Sequence, residues 1–131
     1  MPFSIEMEVR DSEIDESRVV NNAYYLVYFQ HARHLFLRQK MIDYSAFARM
    51  DIALVLVRAE IDFVRPLVSG NKFEVSVDGS LQSRTRIEVK QELFRLPDRQ
   101  LCARLKGVVT AIKPGSRPFV PPELAALFEQ C

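Results

Sequence analysis

Apolar and polar residues alternate over residues 3–9: Phe3, Ile5, Met7 and Val9 are apolar, while Ser4, Glu6 and Glu8 are polar. A period of two predicts a strand with one wet face. The next stretch carries Asp11, Glu13, Asp15 and Glu16. These are poor strand formers that repel one another, so a loop is expected. Over residues 23–39 the apolar period becomes helical, with Tyr25, Tyr28, Phe29, Ala32, Leu35 and Phe36 on one face. Tyr24, Leu26, Val27 and Leu37 extend the apolar surface nearly all round the first turns. That predicts a helix buried by a curved sheet. Asn21 and Asn22 are N-cap candidates, since an amide oxygen can accept from the free N–H groups of a first turn. Arg38 and Lys40 suit the negative end of the helix dipole. Residues 43–49 suit a further helical turn capped by Asp43.

After the helix the period returns to two. Residues 52–57 form a continuous apolar run that alternates onward through Ala59, Ile61 and Phe63. A strand buried on both faces at its start is expected, and Pro66 ends it. Ser69, Gly70 and Asn71 signal a turn. Residues 72–78 alternate strictly, with Phe73, Val75 and Val77 inward, and Gly79 punctuates the strand. Residues 84–94 place Ile87, Val89 and Leu93 on one face and Arg84, Arg86, Glu88, Lys90 and Glu92 on the other. Pro97 and Asp98 make a hairpin loop. Residues 100–113 form the last long strand, where Gly107 suggests a bulge or a close backbone approach. Pro121 and Pro122 open a short helix over residues 123–128. One strand, one long helix, four strands joined by short loops and a short helix give an α+β architecture with a mainly antiparallel sheet.

Composition narrows the function more than the fold. The chain has 131 residues, enough for one domain spanning residues 1–131. Its net charge is +1 with no basic block, so nucleic acid is not an expected partner. The first ten residues lack the pattern of a signal peptide, and no stretch is long and apolar enough to span a membrane. A cytoplasmic location follows as the expectation. Cys102 and Cys131 are the two cysteines, too few for a disulfide framework or a zinc site.

The candidate chemistry lies where the acidic loop meets the helix. The loop carries a carboxylate to the positive end of a helix, whose N–H groups and dipole can stabilise a developing oxyanion. Together they could attack a carbonyl. Several alternatives are weaker. His31 and His34 are spaced for a metal on one helix face, but no third ligand is apparent and they read as surface histidines. Glu13 and Asp15 could form a carboxylate pair, yet an exposed loop gives no reason to keep either protonated. Ser17 lacks the context of a serine nucleophile.

Residues 10–33 are similar to the pattern R-x-x-D-x-D-x-x-G-x-V-N-N-x-x-Y-x-x-Y-F-x-x-A-R. Arg10, Asp15, Val20, Asn21, Asn22, Tyr25, Tyr28, Phe29, Ala32 and Arg33 match it. Glu60 to Pro66, followed by Gly70, is similar to a strand ending in R-P-x-x-x-G. The chain thus resembles the hot-dog-fold acyl-CoA thioesterases of the 4-hydroxybenzoyl-CoA thioesterase type, over about residues 6–112. Loop and helix look particularly similar to the plant acyl-lipid thioesterases. Glu13 stands where the first Asp is usual, Arg18 where Gly is usual, and Val19 where His or Val is found.

The resemblance implies a hot-dog fold, with one long central helix wrapped by a curved five-stranded sheet. It also implies hydrolysis of an acyl-CoA or acyl carrier protein thioester, with no cofactor and no metal. Asp15 is the implied catalytic carboxylate, as general base or as nucleophile. Amides between Val20 and Ala23 are the implied oxyanion donors. Asn22 could cap the helix or touch substrate, and the cap is favoured. Tyr25 could line the acyl site but reads first as core. Arg18, Arg84 and Arg86 are candidates for the phosphates of coenzyme A. The family pairs sheets edge to edge, which implies a homodimer or a homotetramer with the site at the subunit boundary. Two rivals remain: a hydratase, which needs a catalytic His that the loop lacks, and a non-catalytic acyl-binding or scaffold protein of the same fold.

Overall fold

The computed structural model describes residues 3–129. Five strands and three helices follow in the order β1 (Phe3–Glu8), α1 (Asn22–Gln39), α2 (Tyr44–Arg49), β2 (Ala53–Phe63), β3 (Lys72–Leu81), β4 (Ile87–Leu96), β5 (Gln100–Ile112) and α3 (Pro122–Phe128). The strands form one sheet in the order β1-β3-β4-β5-β2, and every neighbouring pair is antiparallel. The long helix packs on β3 and β1. This is the hot-dog architecture. Phe29 and Ala32 of α1 meet Phe73, Val75 and Leu93 of the sheet in a core that excludes solvent completely at these positions.

The alternation of β3 and β4 has its expected consequence. Phe73, Val75 and Val77 are buried, as are Ile87, Val89 and Leu93. Gln91 falls on the same inward face of β4 and is equally buried. Gly79 does not end β3, which continues to Leu81. A Cβ at Gly79 would come within 2.5 Å of the Phe128 ring, so glycine there makes room for α3. Gly107 has the close approach expected of it: a Cβ would lie 2.9 Å from Leu56 Cδ1 and 3.2 Å from the Arg58 carbonyl oxygen. The bulge is in the facing strand, between Leu56 and Arg58.

Three expectations need correction. First, β2 is an edge strand, not one buried on both faces at its start. Ala53 and Val57 are exposed, because only β5 pairs with it among the described strands. An apolar run reports hydrophobicity, not the number of neighbours that will cover it. Second, α1 is not covered all round: Leu26 is 40% and Val27 50% exposed, since the sheet wraps only the opposite side of the helix. Third, β4 begins at Ile87, so Arg84 and Arg86 lie in the β3–β4 turn and not on a strand face. Asp43 caps α2, its Oδ1 accepting from the Ser45 N–H at 2.8 Å. Cys102 is buried and reduced, whereas Cys131 lies outside the described residues.

Candidate active site

Residues 10–21 form a compact hairpin-like loop between β1 and α1. A turn of 3-10 helix, Asp11–Glu13, opens it. Ile14 and Val20 then pair antiparallel, and the Asn21 N–H donates to the Glu13 carbonyl at 2.9 Å. The tip runs from Asp15 to Val19, closed by the Asp15 N–H on the Val19 carbonyl at 2.9 Å. Glu13, which the sequence offered only as a carboxylate near Asp15, holds the base of the loop. Its Oε1 accepts from the Arg10 N–H at 2.9 Å and from the Tyr28 hydroxyl at 2.7 Å. Burial and this carboxylate push the Tyr28 phenol well above its ordinary pKa, so Tyr28 stays a donor.

The loop is also tied to the segment after β2. The Val20 N–H donates to the Leu67 carbonyl at 2.9 Å, and the Leu67 N–H donates to the Tyr25 hydroxyl at 3.3 Å. Ser69 Oγ bonds Asp11 Oδ1. Arg65 donates to the Leu101 carbonyl at 3.0 Å, and Leu67 is fully buried. The Arg-Pro segment is therefore the anchor for the loop. Tyr25 is core: it is buried, with edge-on contacts to Tyr28 and Phe63.

Asp15 is exposed at the loop tip. Its Oδ1 accepts from the Ser17 N–H at 2.8 Å, and Oδ2 has no partner among the described residues. Arg18 takes φ +66°, the left-handed backbone that a glycine adopts freely. A residue with a side chain is strained in that conformation. Arg18 does not pair with Asp15; it is exposed, and no carboxylate lies within ion-pair distance of it among the described residues.

The helix start resolves which amides are free. Asn21, not Asn22, is the N-cap, its Oδ1 accepting from the Ala23 N–H at 3.0 Å. The Val20 and Ala23 amides are therefore engaged, and neither is a ready oxyanion donor. The Tyr24 N–H is also used, on the Asn21 carbonyl at 2.9 Å. Only the Asn22 N–H in this stretch has no acceptor among the described residues. Two adjacent Asn residues are equivalent in sequence; only backbone geometry separates cap from first helical residue.

The remaining candidates lie elsewhere. β3 starts beside the loop and runs to the turn that holds Arg84 and Arg86. Its length separates the two ends by about 30 Å at ~3.3 Å per residue, so within one chain these arginines are far from Asp15. His34 is not a polar-surface residue: its ring packs 4.6 Å from that of Tyr44. Burial, and the nearby cations, push its pKa down. His31 is exposed.

Two hollows flank α1. One is a groove of about 630 Å³ beside the loop, bordered by Glu8, Asp11, Glu13, Tyr28 and His31. Three carboxylates against one guanidinium, that of Arg10, make it a poor site for phosphate. The other is a cavity of about 310 Å³ along the opposite side of α1, from Leu26 to Leu37, closed by Leu54, Val89, Val109 and Leu124. Asp15 borders neither. Arg33 and its partner Gln91 were not marked by the sequence as functional. Gln91 sits at an inward position of β4 between Val89 and Leu93. A polar residue in an inward register was the available signal.

Residues 9–128 match the thioesterase-like superfamily. The chloroplastic acyl-acyl carrier protein thioesterase ATL3 of Arabidopsis thaliana is 36% identical over 125 residues, covering 95% of this chain and 66% of that protein. The chain thus spans just under two thirds of the length of this plant relative. A hypothetical protein from Aquifex aeolicus superposes with a TM-score of 0.89 at 26% identity, covering 98% of this chain and 100% of that one. A 1,4-dihydroxy-2-naphthoyl-CoA thioesterase from Synechocystis gives a TM-score of 0.85 at 25% identity, covering 93% and 90%. A hot-dog sheet around one long helix, a pinned acidic loop at the helix start and a family match over nearly the whole chain converge: the protein belongs to the thioesterase-like superfamily.

Proposed function

We propose that the chain hydrolyses acyl thioesters of coenzyme A or of acyl carrier protein, releasing a carboxylic acid and a thiol. The observation that carries this reading is the family match over residues 9–128, and the loop before α1 adds a carboxylate and a helix-start amide that are each left available. Asp15 has an oxygen available, and the Asn22 N–H has no protein acceptor among the described residues. In the general-base route, Asp15 takes a proton from water as the water oxygen bonds to the thioester carbon. The carbonyl oxygen gains negative charge and accepts from the Asn22 N–H, favoured by the helix dipole. The carbon–sulfur bond then breaks and the thiolate takes up the proton. In the nucleophilic route, Asp15 attacks directly and water cleaves the resulting mixed anhydride. Neither route requires a metal, and among the described residues no three His, Cys, Asp or Glu side chains cluster to hold one.

The alternative is a non-catalytic acyl-binding or scaffold protein of the same fold, which an Arg in place of the usual Gly at position 18 leaves open. Arg18 has a left-handed backbone that a glycine adopts freely, which supports the hydrolase over the scaffold. The assembly belongs to the same reading. Val57 and Phe63 on the edge strand are each half exposed, as is Val27 on α1. An open edge invites pairing, and a homodimer joined through β2, or a homotetramer of such pairs, would cover it. A two-fold axis across β2 reverses the strand direction. The Arg84–Arg86 turn of one protomer then lies at the same end as the Asp15 loop of its partner, where guanidinium groups could meet the phosphates of coenzyme A. No helix among the described residues is long and apolar enough to cross a membrane; a cytoplasmic location is part of the proposal.

A panel of acyl-CoA and acyl carrier protein thioesters with a thiol reagent tests the activity. Thiol release that saturates with substrate is expected. Tight binding without release from any member would establish an acyl-binding protein instead. Light scattering at micromolar concentration tests the assembly, and a monomer would remove the two-chain site.

A further inference from the structure

The cavity beside α1 is lined by hydrocarbon except at one cluster. Gln30, Arg33 and His34 of α1 and Tyr44 of α2 border it among aliphatic and aromatic walls. A cation in such surroundings is costly unless an anion or several acceptors meet it. Among the described residues Arg33 has one acceptor: its Nη1 donates to Gln91 Oε1 at 2.9 Å. No carboxylate lies within ion-pair distance of it among the described residues. Nor does any fully buried side-chain nitrogen or oxygen among them lack a partner. Any guanidinium N–H without a partner is therefore accessible, and Arg33 borders the cavity.

The supporting parts hold Arg33 in place and leave it unneutralised. Gln91 is buried, and its Nε2 donates to the Phe29 carbonyl at 3.0 Å. That bond fixes the amide so that its oxygen faces Arg33. A glutamine orients a guanidinium without cancelling its charge. Tyr44, raised in pKa by burial, keeps its hydroxyl proton. The polar cluster thus offers donors and a positive charge to whatever enters.

Asn22, Leu26, Gln30 and Arg33 follow one another along one helical face. From Asn22 to Arg33 that face runs about 16 Å at ~1.5 Å per residue. An acyl group whose carbonyl sits at the Asn22 amide would pass Leu26 and reach Arg33 with its far end.

We propose that Arg33, aided by Tyr44, binds a carboxylate at the far end of the acyl group, so that the preferred substrates are half-thioesters of medium-chain dicarboxylic acids. This rests on the thioesterase reading for the placement of the carbonyl. The cavity supplies hydrocarbon contact along the chain, and the guanidinium supplies the anion's partner at its end. Arg33 is then a specificity-determining residue.

The test compares sebacoyl-CoA with decanoyl-CoA, which share a chain length and differ only in the distal carboxylate. The wild-type protein is expected to favour sebacoyl-CoA at least tenfold in kcat/KM, since a site built for an acceptor is left unpaired by the analogue lacking it. Arg33→Met should abolish that preference, read as the ratio of the two kcat/KM values within the one variant. Calorimetry of the wild-type protein with free sebacate and free decanoate is the second measurement; it needs neither turnover nor a folded variant. Tighter binding of sebacate is expected. Sebacate bound more tightly with no thiol released from any thioester would keep the carboxylate site and remove the hydrolase. Thiol release at equal kcat/KM for the two substrates, or a preference that survives in folded Arg33→Met, would overturn the proposal.

Discussion

The two ends of α1 handle charge in opposite ways. At its start, the loop carries Asp11, Glu13, Asp15 and Glu16 at or near the surface, held mainly by backbone hydrogen bonds. Water solvates these carboxylates, so Asp15 needs no protein cation. Toward its other end, the helix holds Arg33 and His34 half-buried beside hydrocarbon, and Arg33 is oriented by one neutral amide. A charge in water can remain without a protein partner, whereas a charge walled by hydrocarbon demands one. The first arrangement suits a group that must meet water and a carbonyl. The second suits a group that must select what enters. One helix can therefore serve reaction and recognition because its ends differ in solvent access.

The largest expected effect breaks the reactive end alone. Asp15→Asn keeps an oxygen for the Ser17 amide but loses the base, and kcat should fall by roughly a hundredfold or more. Its melting temperature should stay at the wild-type value. Near wild-type turnover would mean that the carboxylate is not the catalytic group.

Tyr28→Phe probes what holds that end rigid. It removes the donor to Glu13 and should cost about 1.5–3 kcal/mol, the usual scale for a hydrogen bond to a charged group. Glu13→Gln should cost less, because an amide oxygen still accepts from Tyr28 and from Arg10. Chemical denaturation of the two variants checks the order, and the reverse order would place the anchor elsewhere.

Arg18→Gly is a smaller change with two opposed readings. Relief of the left-handed backbone should stabilise the protein by up to about 1 kcal/mol. If Arg18 reaches toward the phosphates of coenzyme A, KM for acyl-CoA should rise several-fold with kcat within a few-fold, the mark of lost uniform binding. A large fall in kcat at constant KM would put Arg18 in the catalytic apparatus instead.

The smallest effect belongs to the other end. Burial and the adjacent cations hold the His34 pKa below its ordinary value. The unfolded chain therefore takes up a proton first, near pH ~6.5, and the folded chain only at lower pH. Stability is unaffected above that point and declines as the pH falls through this window. The melting temperature should drop modestly between about pH 7 and pH 5. His34→Phe keeps a ring against Tyr44 and should flatten that dependence; an unchanged slope would assign it to other groups.

Several of these features could be read along the chain. The alternation of β3 and β4 is local, so Phe73, Val75, Ile87 and Leu93 could be placed on the core face from their spacing. The aromatic stripe of α1 is also local, as are the Asp43 cap and the proline start of α3. The spacing of Asp15, the Asn pair and the aromatic face resembled one family, and the family match bears this out. The identities that failed depended on partners distant in sequence. Asn22 and Asn21 have the same side chain, and the Ile14–Val20 bridge with the Glu13 carbonyl decided which of them caps. Gly79 read as punctuation because Phe128, far along the chain, supplies the reason for it.

What the sequence determined by itself was period, hydrophobicity and the presence of a carboxylate before a helix, all properties of neighbours within a few positions. Tertiary structure decided which amide was left free, which edge of the sheet stayed open and which polar side chains faced a cavity. Those depend on hydrogen bonds and burial between segments tens of residues apart, such as Val20 on Leu67, Arg33 on Gln91 and Gly79 under Phe128. A polar residue's role is set by whether water or protein satisfies it, and only the folded chain makes that choice.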